Sequence, residues 1–203
     1  MVKIAVDVVL LPSEKMADKA VEANRKLLKQ CADNIVLDKE SCLPHISLAM
    51  GCVDERDIAD IEKILQATAK QSSLGQLSVI GIHTGTNSAG EQVSVLQIEK
   101  TEALQSLHEE VMRRLAPYFS YDVRADMIFS PPGASESTLA WIKSYPEKSS
   151  FEKFSPHITI GYGEINDYSF PIEFAVSKLA LCHLGNHCTC RKILASVKLE
   201  KRM

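Results

Sequence analysis

The amino-acid sequence predicts an α+β fold of two similar lobes that face each other across a central cleft. The string Pro-His-Ile followed by Ser or Thr occurs at residues 44–47 and again at 156–159. The order of a strand, a helix and a histidine-bearing strand also occurs twice. With 203 residues, 45% apolar and 24% charged, the chain can bury a substantial core. A duplicated unit of this kind predicts pseudo-twofold symmetry, with the two histidine strands opposite each other.

The first half of the chain alternates strand and helix patterns. Apolar residues at every second position predict strands, and apolar residues spaced by 3.6 positions predict amphipathic helices. The predicted elements are, in order, a strand at 4–10, a helix at 13–31 with Ser13 as its N-cap, a strand at 45–53, a helix that Asp54 caps and that continues to Ala69, and a strand at 76–83.

The second half repeats the pattern after a turn rich in Gly, Asn and Ser at residues 84–90. This turn predicts a hairpin between the strands on either side of it. The predicted elements are a strand at 92–99, a helix from Thr101 to Leu115 that Pro117 ends, a strand at 157–162, and a terminal hairpin of strands 174–184 and 187–198 joined at Gly185-Asn186.

Composition excludes several classes of protein. The net charge of −3 and the sequence pI of about 6.1 provide no global positive field for a long nucleic-acid duplex. No segment reaches the roughly 18 apolar residues of a membrane span, and residues 1–15 lack the pattern of a signal peptide. We therefore expect a cytoplasmic protein, and we expect its six cysteines to be reduced thiols.

The two repeated strings carry the chemistry. Because side chains alternate across a strand, His45 shares a face with Ser47, and His157 shares a face with Thr159. Two such pairs across a cleft suit in-line transfer at phosphorus, in which one neutral imidazole takes a proton and a protonated one gives a proton. The hydroxyls would hold nonbridging oxygens. This chemistry requires no metal and no other cofactor.

The two His-x-(Ser/Thr) motifs, each after a proline and within an apolar strand, resemble those of the 2H phosphoesterase superfamily. That superfamily includes RNA 2′,3′-cyclic phosphodiesterases, often described as 2′-5′ RNA ligases. The resemblance spans essentially the whole chain. It implies a single bilobal domain over residues 1–203, with two antiparallel sheets flanking a central cleft and helices outside. The halves would be about 1–85 and 86–203, with an aromatic-rich insertion at about 118–155.

The resemblance also implies roles for individual residues. His45 and His157 would be catalytic, and Ser47 and Thr159 would bind phosphate. Some members place a tyrosine five residues after the second histidine, where its phenol helps to hold the phosphate, and Tyr162 fills that place. Some relatives carry a base-stacking aromatic residue near the end of the first strand, whereas this chain has Leu10, Leu11 and Pro12.

The implied reaction opens a 2′,3′-cyclic phosphate on a nucleotide or an RNA end to a 2′-phosphomonoester without a metal. Alternatives within the enzyme class are cleavage of 2′-5′ linked oligonucleotides, hydrolysis of a cyclic phosphate in a nucleotide-sugar product, and reversible 2′-5′ ligation. A nucleotide-binding module with little turnover is an alternative from another class. The sequence does not indicate an oligomeric state.

A second cluster of chemistry-bearing residues lies at Cys182–Cys190, with the sequence CHLGNHCTC. Zinc uses cysteine and histidine ligands, so a zinc-stabilised interaction protein is a further alternative. The spacing fits a hairpin better than two separated ligand pairs, and a hairpin would point Cys188 and Cys190 to one face. We therefore predict no metal site there.

The remaining histidines and the aromatic insertion have structural and functional interpretations. We interpret His83 and His108 as structural. The insertion predicts a small core around a short helix near residues 137–144. The alternative is a lid beside the cleft, in which an aromatic residue such as Trp141 stacks on a base and Arg124 or Lys143 contacts a phosphate. The aromatic residues of the insertion are Tyr118, Phe119, Tyr121, Phe129, Trp141, Tyr145, Phe151 and Phe154.

Overall fold

Two antiparallel four-stranded sheets, with helices packed on them, confirm the predicted α+β fold. The computed structural model describes residues 2–29, 35–86, 90–129, 133–165 and 168–199. Within these residues the strands are β1 (Lys3–Pro12), β2 (Ile46–Asp54), β3 (Leu77–Thr86), β4 (Gln92–Ile98), β5 (His157–Tyr162), β6 (Ile172–Phe174), β7 (Val176–Leu184) and β8 (Cys190–Lys198). The helices are α1 (Glu14–Leu28), α2 (Ile58–Gln71), α3 (Glu102–Leu115) and α4 (Glu136–Lys148).

Each sheet has one histidine motif on an edge strand. The first sheet has the order β2-β1-β7-β8, so strands from both ends of the chain meet in it. The second sheet has the order β5-β4-β3-β6. In both sheets the histidine strand pairs antiparallel with the strand that precedes it in the repeated unit, β1 for β2 and β4 for β5. The two sheets therefore present the motifs in corresponding places.

A register shift occurs at the same place in both motif strands. In the first sheet it lies between Val8 and Val9 of β1 and leaves Leu48 of β2 out of register. In the second it lies between Ser94 and Val95 of β4 and leaves Ile160 of β5 out of register. A shift of this kind removes a residue from the regular hydrogen-bond ladder, so its backbone groups need other partners.

Buried polar side chains from two helices supply those partners. His108 of α3 donates from Nδ1 to the backbone oxygen of Leu48, at 2.6 Å, and Asn24 of α1 donates to the backbone oxygen of Ile160, at 2.8 Å. Both side chains are fully buried. Each helix therefore packs against the motif strand of the other sheet, α1 on β5 and α3 on β2. This exchange interlocks the two halves.

The helices follow their apolar patterns, with small differences at their ends. Thr101 caps α3 by accepting a hydrogen bond from the Leu104 backbone, as a residue at this position should. Asp54 caps a short 3₁₀ turn that leads into α2. α1 ends at Leu28, before residues 30–34, which lie outside the described part of the chain. No helix in the described ranges is long and apolar enough to cross a membrane.

The predicted hairpin between β3 and β4 is confirmed, but the terminal hairpin differs from its prediction. A 3₁₀ turn at Asn186–Cys188 separates β7 from β8, so His187 and Cys188 do not lie in a strand. Both residues have positive φ, 58° and 54°. The prediction that Cys188 and Cys190 share a strand face is therefore wrong. The reason is that Asn186 accepts hydrogen bonds from Ser135 and Thr138 beside α4, which holds the turn against the insertion.

The prediction of six reduced thiols is also wrong for two cysteines. Cys182 and Cys190 form a disulfide, with Cα atoms 5.6 Å apart on neighbouring strands. Proximity explains the pairing, because the β7–β8 ladder pairs Cys190 with Leu184, two residues from Cys182, a register that sequence spacing alone does not reveal. Cys42, Cys52 and Cys188 are free cysteines. Cys182 and Cys190 consequently have no thiolates to offer a zinc ion.

The aromatic insertion forms a partly buried cluster around α4. Tyr145 and Phe154 are buried, whereas Trp141 exposes 45% of its surface. The predicted short helix at 137–144 is confirmed but longer. α4 contacts β2 and the Asn186–Cys188 turn, so the insertion lies beside the first histidine motif.

Candidate active site

A proline and a backbone carbonyl orient His45. Pro44 has a fixed φ and restricts Leu43 to extended backbone, so the chain enters β2 in a defined direction. The Nδ1 atom of His45 lies 2.8 Å from the backbone oxygen of Leu43. Leu43 is itself bound to β8, because its backbone nitrogen donates to the carbonyl of Cys190 at 3.0 Å. The first sheet therefore fixes the position of Leu43, and the Leu43 carbonyl group in turn orients the His45 imidazole.

The second motif repeats this arrangement around His157. Its Nδ1 atom lies 2.8 Å from the backbone oxygen of Ser155, again two residues earlier and before a proline. The carbonyl of Pro156 accepts a hydrogen bond from the backbone nitrogen of Ile98 at the end of β4. Both motifs thus use the residue before the proline to orient the ring.

These contacts define the tautomer of both rings. A carbonyl oxygen can only accept, so Nδ1 must carry the proton in each neutral imidazole. The lone pair then lies on Nε2, on the opposite side of the ring. His45 and His157 therefore each have one nitrogen committed to the backbone and one nitrogen able to take or give a proton.

The structure brings the two motifs together. β2 and β5, the edge strands that carry them, contact each other. Burial lowers the pKa of His45 to about 4, and the charge of His157 contributes to that shift through like-charge repulsion. Burial also lowers the pKa of His157, and His83 contributes in the same way. Both imidazoles are consequently neutral near pH 7 in the ligand-free protein.

The two motif hydroxyls have different surroundings. Ser47 donates a hydrogen bond from Oγ to Oδ2 of Asp7 on β1, at 2.6 Å. Thr159 is half-buried. It pairs with Val95 on β4, and Val95 pairs with His83 on β3, so the three residues lie in one row across the second sheet. His45 lies immediately before β2 and Ser47 lies within it, whereas His157 and Thr159 lie in β5, the strand that contacts β2.

Asp7 is a site residue that the sequence interpretation missed. Its side chain is fully buried, and Oδ2 lies 3.9 Å from Nε2 of His45. Burial raises the pKa of its carboxyl group to about 8, despite opposing hydrogen bonds from Ser47 and the Ala49 backbone. The available signal was an acidic residue in the middle of an otherwise apolar strand, since such residues are rarely buried without a reason.

Tyr162 is buried, and His187 orients its hydroxyl group. The amide oxygen of Asn186 accepts from the Ser135 backbone and from Thr138, so its amide nitrogen donates to Nε2 of His187, at 3.1 Å. Burial lowers the pKa of His187, which leaves the ring neutral with its proton on Nδ1. Nδ1 lies 2.8 Å from Oη of Tyr162 and therefore donates to it. The tyrosine proton points away from His187.

The other residues considered from the sequence have varied positions. The structural role predicted for His108 is confirmed, because it is buried and its Nε2 accepts from the Phe151 backbone at 2.7 Å. His83 is exposed, on the same row as Thr159. Arg124 pairs with Asp126, and the lid interpretation of Trp141 and Lys143 stays a prediction. Across the described residues, no cluster of three or more His, Cys, Asp or Glu side chains could hold a metal ion.

This protein has two interlocked sheets, each with a histidine motif on an edge strand, and the two edge strands contact each other. It therefore has a two-histidine fold. A model of the 2′-5′ RNA ligase superfamily matches residues 37–187, which include both motifs. The chain belongs to this superfamily of 2H phosphoesterases. A comparison with curated proteins found no significant match.

Several solved structures match this chain at low sequence identity. TT0787 of Thermus thermophilus is 15% identical, with a TM-score of 0.56 over 98% of this chain and 100% of its own. LigT of E. coli complexed with 3′-AMP is 15% identical, with a TM-score of 0.48 over 98% and 99%. LigT complexed with NADP+ is 16% identical, with a TM-score of 0.48 over 99% and 100%. The likeness to TT0787 supports the two-lobed fold.

Proposed function

We propose that this protein is a metal-independent phosphoesterase that opens a 2′,3′-cyclic phosphate, on a nucleotide or an RNA end, to a 2′-phosphomonoester. The observation that carries the proposal is the matched orientation of His45 and His157. Each ring donates Nδ1–H to a carbonyl two residues earlier, and each is followed by a hydroxyl side chain on the same strand face. A purely structural role would not require the same arrangement twice.

The two imidazoles supply the proton transfers of hydrolysis. One neutral ring takes a proton at Nε2 from the attacking water, and the other, protonated at Nε2, donates to the leaving 3′ oxygen. The burial that lowers the pKa of both rings favours the base role. A bound phosphate carries negative charge, which raises the pKa of the neighbouring imidazole and favours the acid role. Binding of the substrate therefore creates the acid that the reaction needs.

Ser47, Thr159 and Tyr162 are proposed to bind the phosphate. Hydroxyl donors stabilise the charge that develops on nonbridging oxygens as the fifth bond to phosphorus forms. Tyr162 suits this role because the hydrogen bond from His187 holds its hydroxyl group in a defined position. This machinery transfers protons and neutralises charge, so the proposed reaction needs no cofactor.

The experiment that tests the proposal is turnover of the four nucleoside 2′,3′-cyclic phosphates with EDTA present. ³¹P NMR separates 2′- from 3′-phosphomonoesters, so one experiment reports both the activity and the bond cleaved. We expect EDTA-resistant turnover to 2′-phosphates. Exclusive formation of 3′-phosphates would contradict the proposed regiochemistry, and loss of activity with EDTA would contradict the metal-independent mechanism.

A well-folded protein that turns over none of these substrates would contradict the proposal for mononucleotides. RNA oligonucleotides ending in a cyclic phosphate and 2′-5′ linked oligonucleotides should then be assayed in the same buffer. Tight binding of nucleotides without turnover of any of them would support the binding-module alternative instead.

A further inference from the structure

A buried carboxyl group lies beside the serine and the histidine of the first motif. Asp7 is fully buried in β1, its Oδ2 lies 2.6 Å from Oγ of Ser47, and Nε2 of His45 is 3.9 Å away. An ionised carboxylate here would repel an anionic substrate. It would also accept the hydrogen bond of the Ser47 hydroxyl, which is proposed to donate to the phosphate. Its protonation state therefore matters to the proposed function, on which this inference rests.

The groups around Asp7 favour its neutral form. His45 and Ser47 face it from the first motif, the Cys188 thiol from the β7–β8 turn and the Tyr145 phenol from α4. Cys182, its cross-strand neighbour on β7, is in the disulfide and does not titrate. Among the described residues, no lysine or arginine contributes to the pKa of Asp7, and the neighbouring imidazole is itself held neutral by burial.

Burial raises the pKa of Asp7 and outweighs the hydrogen bonds from Ser47 and from the Ala49 backbone, which lower it. Oδ1 is buried and makes no hydrogen bond to any described residue. Burying a carboxylate with one oxygen unsatisfied costs free energy. A neutral carboxylic acid costs less to bury, and its one O–H group can donate a single strong hydrogen bond. The short contact with Ser47 is the place for that donor.

We propose that Asp7 is a positioning residue of the phosphate site: as a carboxylic acid it donates to Oγ of Ser47 and so directs the Ser47 hydroxyl proton toward a bound phosphodiester. The serine has one proton, so it serves either a carboxylate or a phosphate but not both. Ionisation of Asp7 reverses the hydrogen bond, removes the phosphate donor and adds a negative charge beside the substrate. The second motif has Val93 at the corresponding place on β4, so Thr159 is under no such control.

The test is the pH dependence of binding for a ligand that does not itself titrate. Adenosine 2′,3′-cyclic phosphate is a monoanion across the neutral and alkaline range, and the His157→Ala background prevents its hydrolysis. Calorimetric affinities would be measured from pH 6.5 to 9.5 in this background alone and with Asp7→Asn, Asp7→Val or Ser47→Ala added. The ¹³C shift of the Asp7 carboxyl in the ligand-free wild type reports its ionisation independently of any ligand.

We expect the parent to lose affinity by about tenfold per pH unit above pH 8. Asp7→Asn, whose amide also donates to Ser47, should bind within about threefold of the parent at pH 7, with a flat pH profile. Asp7→Val, which copies Val93, should bind more weakly with a flat profile, and Ser47→Ala should bind more weakly with a smaller alkaline fall, because only the charge of ionised Asp7 then opposes the ligand. An alkaline fall that persists in Asp7→Asn, or a carboxyl that titrates near pH 4, would overturn the role of Asp7 and leave the phosphoesterase proposal standing.

A different pattern would show failure of the proposed function itself. If the parent and Asp7→Asn, both folded by circular dichroism, fail to bind the cyclic phosphate at every pH, then the site does not take this ligand. The positioning role of Asp7 falls with it in that case, whatever the ¹³C titration shows.

Discussion

The two halves of the site have the same framework but differ in one buried side chain. Both motif strands carry a register shift, both rings donate to the carbonyl before the proline, and both shifted residues receive a hydrogen bond from a helix of the other half. The first half adds Asp7, beside Ser47 and His45, where the second half has Val93. The framework therefore fixes where the imidazoles lie, and Asp7 gives the two halves different chemistry.

The largest expected effect of this difference is on stability. The pKa of Asp7 is raised from 3.8 to about 8 by folding, so its contribution to stability is fully present below pH 4 and is lost as the pH rises through 8. We expect the free energy of unfolding of the wild type to fall over this range, by at most roughly 6 kcal/mol, relative to Asp7→Asn. Urea unfolding at a series of pH values measures it, and parallel curves for the two proteins would contradict it.

The second largest expected effect is the loss of stability when a hydrogen bond that interlocks the two halves is removed. Asn24→Ala and His108→Ala each leave a buried carbonyl, of Ile160 or Leu48, without its side-chain donor. We expect each change to destabilise the fold by about 2–4 kcal/mol in urea unfolding. Glu22→Ala, on the exposed surface of α1, is the matched control and should change stability by less than about 0.5 kcal/mol. A loss as small as that of the control would contradict the interlocking role.

The two hydroxyls provide a sharper comparison. Ser47→Ala and Thr159→Val should each lower kcat/KM on the order of 100-fold at pH 6.5, because each removes one donor to the phosphate. At pH 9 the effect of Ser47→Ala should shrink, since ionised Asp7 already holds the Ser47 proton, whereas the effect of Thr159→Val should persist. If kcat/KM relative to wild type is the same at pH 6.5 and pH 9 for Ser47→Ala as well as for Thr159→Val, the two hydroxyls are equivalent, which contradicts the difference expected between them.

The smallest effect concerns Tyr162. Loss of the hydrogen bond from His187 should leave the phenol less well oriented, so His187→Phe and Tyr162→Phe should each lower kcat/KM by roughly fivefold, about 1 kcal/mol. Because both changes act through one hydroxyl, the double variant should lose no more than either single variant. Additive losses would place the two residues on separate functions.

Much of the fold was predictable because its signals are local. β5 begins and ends where the alternation of the sequence predicts, at His157 and Tyr162, and Thr101 caps α3. The terminal hairpin was not predictable, because Asn186 accepts hydrogen bonds from the Ser135 backbone and the Thr138 hydroxyl, both distant in sequence, and these bonds decide the conformation of its turn. The disulfide of Cys182 likewise depends on strand register, which spacing does not give.

The site was predictable only where its residues repeat. His45 and His157 share a motif, and the structure brings their strands together. Asp7 and His187 have no repeated context, and their importance comes from contacts with Ser47 and Tyr162 across the fold. A lone acidic residue in an apolar strand indicates burial, but not which group lies next to it.

The central claim is that both imidazoles act on one phosphate. The most direct test is kcat/KM for a 2′,3′-cyclic phosphate, with EDTA, in His45→Ala and His157→Ala, with His183→Gln as the matched histidine control. His183 lies on the same strand as Cys182 and is bound to the Met127 carbonyl. We expect losses of at least roughly 100-fold in both alanine variants and near wild-type activity in the control. Full activity in either alanine variant would contradict the claim.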